Sequence, residues 1–334
     1  MQNNYLKTEE AIRFVKQIFA QELSKQLKLT QISSPIAVLD GTGINDDLNG
    51  IERPVKFSVK AMNDQNAVIV NSLAKWKRIR LQELNIELGR GILTDMRAIR
   101  PDEDYSPIHS IYVDQWDWEK TIDTKERNLK VLKLHVNQIY AALKITELQV
   151  SSIYPTLIPV LPEKITFIHA EELLQKYPLL DSKQRETEIT KALGAVFIIG
   201  VGGKLSNGQI HDGRAPDYDD WSSINEDGLK GLNGDIVVWN PITQLAFEIS
   251  SMGIRVDKTV LLNQLEERGN LDRKNLLFHN LILNDKLPQS IGGGIGQSRV
   301  CMFLLQKKHI GEVQVSLWPD YIREESKSNG IFLL

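Results

Sequence analysis

Ile12, Val15, Phe19, Leu23 and Leu27 recur every three or four residues with mostly polar positions between them, which predicts an amphipathic helix. Thr8 followed by Glu9 and Glu10 marks its expected start, since a hydroxyl cap and first-turn acids both suit a helix N-terminus. An extended segment containing Pro35 follows. Residues 67–70 are continuously apolar and read as a buried strand leading to a helix from about Ser72. Residues 97–119 divide into a strand, a loop opened by Pro101 and a second strand. In that second strand Tyr112, Asp114, Trp116 and Trp118 alternate with Val113, Gln115, Asp117 and Glu119. The second set is mostly polar, so its face is expected to line a site. Residues 128–149 read as helix, and the apolar run 195–201 as a central strand. Two short strands are expected near 235–239 and 245–250, then a helix near 257–268. Gly292 to Ser298 opens a last apolar helix at about 298–307. The longest irregular region, 202–234, is rich in Gly and Asp yet holds Trp221, and long ordered loops are commonly functional. With no repeat, low-complexity tract or boundary visible, residues 1–334 read as one domain.

Composition narrows the class little. The chain is 42% hydrophobic and 25% charged, ordinary for a globular protein. Its net charge of −3 argues against a nucleic-acid partner, which usually demands a basic excess. The polar N-terminus lacks a signal core, and 195–201 is too short to span a bilayer, so no membrane is expected and the cytoplasm is the default compartment. Cys301 is the single cysteine; it lies in an apolar helix and suits core packing better than nucleophilic chemistry.

Four clusters could carry chemistry. The run Gly292-Gly293-Gly294-Ile295-Gly296-Gln297-Ser298-Arg299 is neither a Walker A loop nor a dinucleotide fingerprint. It is either a plain turn or a place where backbone and helix N–H groups meet an anion. Arg100-Pro101-Asp102-Glu103-Asp104 is a solvated loop unless the polar strand after it recruits it. Asp235 and Glu248, on neighbouring strands, either face solvent separately or share a cation such as Mg²⁺. Lys75, Lys77 and Arg78 crowd a helix start, which fits an anionic ligand or a charged surface helix. The six histidines are scattered without zinc-ligand spacing, and no Gly-x-Ser-x-Gly elbow marks a hydrolase triad.

Gly292 to Arg299 resembles the third signature motif of class II aminoacyl-tRNA synthetases. Arg100 with Glu103 resembles the second, and the first helix plus the Pro35 segment the first. A fuller resemblance, over essentially the whole chain, is to ammonia-dependent asparagine synthetases. The segments 71–78 (NSLAKWKR), 98–104 (AIRPDED), 112–119 (YVDQWDWE), 214–221 (RAPDYDDW), 231–240 (GLNGDIVVWN), 248–256 (EISSMGIRV) and 291–299 (IGGGIGQSR) carry it.

The resemblance implies an α/β (α+β) fold, a class II synthetase-like catalytic domain with an antiparallel β-sheet flanked by helices. It implies a homodimer, and L-aspartate, ATP and ammonia as substrates. Arg100 would contact the α-phosphate, Arg299 would stack on adenine or bind the triphosphate, and Glu103, Gly292, Gly293 and Gly294 would complete the ATP site. Asp235 and Glu248 resemble Mg²⁺ ligands. Gln115 and Asp117 resemble the Gln-x-Asp pair that holds the amino acid in aspartyl- and asparaginyl-tRNA synthetases. Ser72, Lys77, Asp219, Ser251 and Arg255 resemble the remaining aspartate shell, and Asp46 the residue near the reacting carboxyl. Asp46, Arg100 and Gln115 are thus the expected catalytic group.

There are departures. Val113 stands where the tRNA synthetases stack a Phe on adenine, and the loop after Asp104 is one residue shorter than in the family. Residues 41–46 keep Gly41, Gly43 and Asp46 but vary between them. A glutamine-dependent synthetase is disfavoured, because Gln2 follows Met1 and Cys301 is the only thiol. An aspartyl- or asparaginyl-tRNA synthetase would need an anticodon-binding domain before the helix at about residue 8, where no room is expected. A non-catalytic sensor would have lost phosphate or metal ligands, yet Arg100, Asp235, Glu248 and Arg299 are present.

Overall fold

The computed structural model describes residues 2–46, 48 and 52–334; Met1 lies outside them. The first helix, α1 (Gln2–Leu27), begins ahead of the Thr8 expected to cap it. Its Val15, Phe19, Leu23 and Leu27 are wholly buried, as their spacing predicts. The chain continues through β1 (Leu29–Ile32), β2 (Ala37–Leu39), β3 (Lys56–Val59), β4 (Gln65–Ile69) and α2 (Ala74–Glu83). Then come β5 (Gly91–Ile99), β6 (Tyr112–Thr121), α3 (Leu129–Ile153), β7 (Thr166–His169), α4 (Ala170–Lys176), α5 (Ser182–Leu193) and β8 (Ala195–Ile199). The remainder is β9 (Asn233–Asn240), β10 (Leu245–Ile254), α6 (Lys258–Glu267), α7 (Leu277–Leu283), β11 (Ser290–Gly296), α8 (Gln297–Leu304) and α9 (Asp320–Ser328).

Among the described residues, eight strands form one sheet in the order β1-β5-β6-β11-β10-β9-β8-β7, and β2-β4-β3 form a second. The six central strands of the large sheet pair antiparallel, and only the outer pairs β1–β5 and β7–β8 are parallel. On one face α1 and α3 pack against Trp116 and Trp118 of β6, with the Phe19 and Trp116 rings 4.6 Å apart. Since strand side chains alternate, this sends Gln115, Asp117 and Glu119 to the opposite face, where α2 crosses.

Two expectations need correction. The run 195–201 is not a central strand: β8 lies second from the sheet edge. It is apolar throughout because helices cover both faces, with Phe197 in the α1–α3 core and Val196 and Ile198 under α4 and α5. The glycines 292–296 are not a turn opening a helix. They are β11 itself, in the middle of the sheet, and the helix starts only at Gln297.

The 200–232 connection is irregular, as expected, but well tied. Trp221 is buried and donates from Nε1 to the Ala215 carbonyl at 3.1 Å. Gln264 of α6 donates to the carbonyls of Pro216 and Asp219 at 2.8 and 2.9 Å. Among the described residues, no helix is long and apolar enough to cross a membrane.

Candidate active site

The glycines of β11 make room for the polar face of β6. Gly292 lies opposite Glu119 and Gly294 opposite Asp117. A Cβ on Gly294 would sit 2.6 Å from Gln115 Oε1, and one on Gly292 would collide with the Glu119 carboxylate and the Arg255 guanidinium. Gly293 faces the other way, against Met252. The run therefore lets side chains of β6 and β10 lie flat across β11.

Two buried cations, each paired with carboxylates, stand on that surface. Lys77 reaches from α2 to the Asp117 carboxylate and donates to the Gly293 carbonyl at 2.9 Å. Burial pushes the Lys77 ammonium below its usual range, and Asp117 opposes this. Asp117 Oδ2 is buried with no partner in the protein. Arg255, at the foot of β10, grips Glu119 through Nε (3.0 and 3.1 Å) and Nη2 (2.8 Å), and binds Asp219 through Nη1. Burial raises Asp219 above the usual carboxylate range despite Arg255 and Arg214.

The cations at the start of α2 are neither a surface patch nor an empty anion cradle. Lys75 pairs with Asp217 at 3.0 Å, and Arg78 donates to the carbonyls of Pro288 and Val256 at 2.9 and 2.6 Å. All three are almost fully buried, and their partners, carboxylates for the lysines and carbonyls for Arg78, come from within the chain.

Asp46 is 2% exposed. Its carboxylate accepts from Ser72 Oγ and from the Leu48 N–H, each at 3.0 Å. Burial pushes it above the usual carboxylate range.

Asp235 of β9 and Glu248 of β10 are brought close together. Burial, with Glu248 and Asp212 beside it, pushes Asp235 up to about 7. Arg214 enters this anionic pocket and bonds both Asp235 and Ser251, while Ser251 donates to Asp235 at 2.8 Å. Crowded carboxylates of this kind fit a divalent cation. Among the described residues no three His, Cys, Asp or Glu form a complete cage. Mg²⁺ needs fewer, because it keeps waters and substrate phosphates as ligands.

At the far end Arg100, just beyond β5, donates to the Asn71 carbonyl at 3.2 Å and stands 4.0 Å from Glu103. Arg299 of α8 donates to the Glu248 carbonyl at 3.0 Å, meets His109 Nε2 at 2.8 Å, and lies over the Phe247 ring. His109 falls to about 4, chiefly through burial and then the Arg299 charge.

These groups border two adjoining cavities. One, of about 380 Å³, is lined by Asp46, Ser72, Lys77, Asp117, Asp219, Arg255 and Gly293. The other, of about 240 Å³, is lined by His109, Val113 and Arg299. Arg100, Glu103, Gln115, Glu248, Ser251 and Gly294 line both. Gly292 and Asp235 stand behind this lining. Sequence reasoning missed Arg214, His109 and the anchoring part played by Glu119. Arg214 opens the 214–221 segment, and Glu119 continues the polar alternation of β6, so each left a trace.

A family model described as aspartate-ammonia ligase matches residues 6–330. The chain is 54% identical over 331 residues to an aspartate–ammonia ligase of Parabacteroides distasonis, covering 99% of this chain and 96% of that protein. It is 53% identical over 327 residues to one of Bacteroides thetaiotaomicron, covering 98% and 95%. Asparaginyl-tRNA synthetase from Pyrococcus horikoshii, solved with asparaginyl-adenylate, superposes with a TM-score of 0.69 at 16% identity, covering 94% of this chain and 70% of that one. That likeness gives the fold, a class II synthetase-like sheet. With the full-length family match and the close relatives, it follows that this chain belongs to the aspartate-ammonia ligase family.

Proposed function

We propose that residues 1–334 act as one catalytic domain that makes L-asparagine from L-aspartate, ATP and ammonia, through a β-aspartyl-adenylate, releasing AMP and pyrophosphate. What supports this is one arrangement: the Lys77–Asp117 and Arg255–Asp219 pairs line the same cavity as Asp46 and Arg100. An amino acid there meets two cations for its α-carboxylate and two carboxylates for its α-ammonium, as opposite charges require. The buried, unpartnered Asp117 Oδ2 suits the ammonium. Gln115, Ser72 and Ser251 complete the shell. The β-carboxylate is left as the end that reacts.

In the first step the β-carboxylate attacks the α-phosphorus and pyrophosphate leaves. Arg100 offsets charge on the α-phosphoryl oxygens. Glu103, Gly294 and Arg299 serve the nucleotide, with Val113 against the base, whereas Gly292 and Gly293 lie at the Lys77 and Arg255 end and shape the aspartate side. Asp235 and Glu248 would hold Mg²⁺, which when bound neutralises phosphate charge. In the second step ammonia attacks the acyl carbon and AMP leaves. Ammonium predominates at neutral pH, so a base must take its proton. Asp46, buried beside Ser72, is placed to do so. The enzyme works as a cytoplasmic homodimer, with the sheet edge at β1 and the adjoining α1 as the dimer surface.

The test supplies Mg-ATP and aspartate with ammonium, glutamine or tRNA in separate reactions. Asparagine and AMP forming together with ammonium alone supports the reading. Aspartate appearing on tRNA instead overturns it.

A further inference from the structure

Behind Asp46, away from both cavities, three donors meet on one carboxylate. Asp217 Oδ2 accepts from His279 Nε2 at 2.9 Å and Lys75 Nζ at 3.0 Å, with Arg273 Nη1 at 3.5 Å. Asp217, Lys75 and His279 are 0%, 1% and 0% exposed, and none of them lines the site. They come from the 200–232 connection, α2 and α7. Burying such ions costs several kcal/mol apiece, and well-packed apolar residues commonly stabilise as well or better. Folding alone therefore gives little reason for them.

Their position gives a better one. Lys75 lies three residues beyond Ser72, the hydroxyl that holds Asp46. The segment carrying Asp46 rests on α7: Phe278 N–H donates to the Thr42 carbonyl at 3.2 Å. Gly43, at φ +73°, lies so close that a Cβ would be 3.0 Å from the His279 ring. Among the described residues, Lys75 from α2 and Asp217 and Tyr218 from the connection are charged or titratable groups that act on Asp46. Lys77 and Glu52 line the same cavity. Lys75 favours the Asp46 carboxylate and Asp217 disfavours it, so the two paired charges oppose each other at Asp46.

We propose that Asp217, supported by His279, is a positioning residue for the ammonia step: it holds the Lys75 ammonium away from Asp46, leaving that carboxylate turned to the cavity and basic enough to take a proton from ammonium. This rests on the reading of Asp46 given above. Without Asp217, Lys75 turns to Asp46, engages it and makes it a poorer base. Without the His279 donor, the Asp217 charge is less compensated and acts on Asp46 more strongly. The two losses push in opposite directions.

The test separates the half-reactions in the full-length enzyme. Aspartate-dependent exchange of labelled pyrophosphate into ATP, without ammonium, reads adenylate formation. Asparagine formation against ammonium and pH reads the second step. Asp217→Asn is expected to leave exchange intact, raise the ammonium KM about tenfold and move the acidic limb down by about one pH unit. His279→Leu is expected to move that limb up, and His279→Gln, which keeps an N–H for Asp217, to restore it. Limbs that stay put, or that shift the same way in Asp217→Asn and His279→Leu, overturn the proposal. So does a loss of exchange in step with the ammonia reaction. Wild-type enzyme with no exchange at all overturns instead the adenylate reading beneath it.

Discussion

Gly294 and Gln115 meet across β11 and β6 with no space between them: a Cβ on Gly294 would lie 2.6 Å from Gln115 Oε1. The glycine thus sets where an amide on the cavity wall can sit. Gly294→Ala is expected to lower kcat/KM about 10²-fold, since ångström-scale misplacement of a reacting group costs that much. Melting should change far less, because β11 is ordinary strand at this point. Steady-state kinetics beside a thermal melt checks both.

Glu119 offers no atom to the cavity but holds Arg255 there by three short contacts. Glu119→Ala leaves a buried guanidinium short of an anion and should destabilise the fold by about 3–5 kcal/mol. Urea unfolding measures that loss. The KM for aspartate should also rise, because Arg255 is no longer fixed.

Buried Asp235 is repelled by the half-buried Glu248 beside it, and Arg214 supplies the only described guanidinium bonded to Asp235. Asp235→Asn and Glu248→Gln are each expected to raise the Mg²⁺ concentration at half-maximal rate at least tenfold. Neither should lower the ligand-free melting temperature as much as Arg214→Met, which leaves the Asp235 carboxylate without its guanidinium while Glu248 keeps Arg299. Metal titration and melts of the three variants decide.

His135 stacks on Trp118 in the core, donates from Nδ1 to the Val131 carbonyl at 2.8 Å, and has no partner at Nε2. Burial lowers it to about 4 from an ordinary 6.5. The unfolded chain therefore binds a proton between these values that the folded chain refuses. Stability is full above about pH 6.5, falls as pH drops from there to about 4, and is flat in this contribution below that. The unfolding free energy followed from pH 7 to pH 4 should show this slope, and His135→Gln should reduce it.

How much of this was legible depends on what each residue needs. The period of Val15, Phe19, Leu23 and Leu27 names the buried face of α1, because a helix repeats its contacts at fixed spacing. The alternation of Gln115, Asp117 and Glu119 likewise separates a site face from the tryptophan face of β6. The glycines 292–296 misled, since glycine is rare inside strands; only the side chains lying across them explain their place. Lys75 and Arg78 looked solvated because their partners, Asp217 and the carbonyls of Val256 and Pro288, are far away in sequence. The order β6-β11-β10-β9 likewise rests on long-range pairing that periodicity does not carry.

In the proposed reaction the β-carboxylate of aspartate becomes joined to the α-phosphorus of ATP. Aspartate carrying oxygen-18 in that carboxylate, turned over with Mg-ATP and ammonium, tests it directly by mass spectrometry of the nucleotide. Each AMP formed is expected to carry a single labelled oxygen from aspartate. Unlabelled AMP, with the departing labelled oxygen found instead in inorganic phosphate, pyrophosphate or water, rules it out.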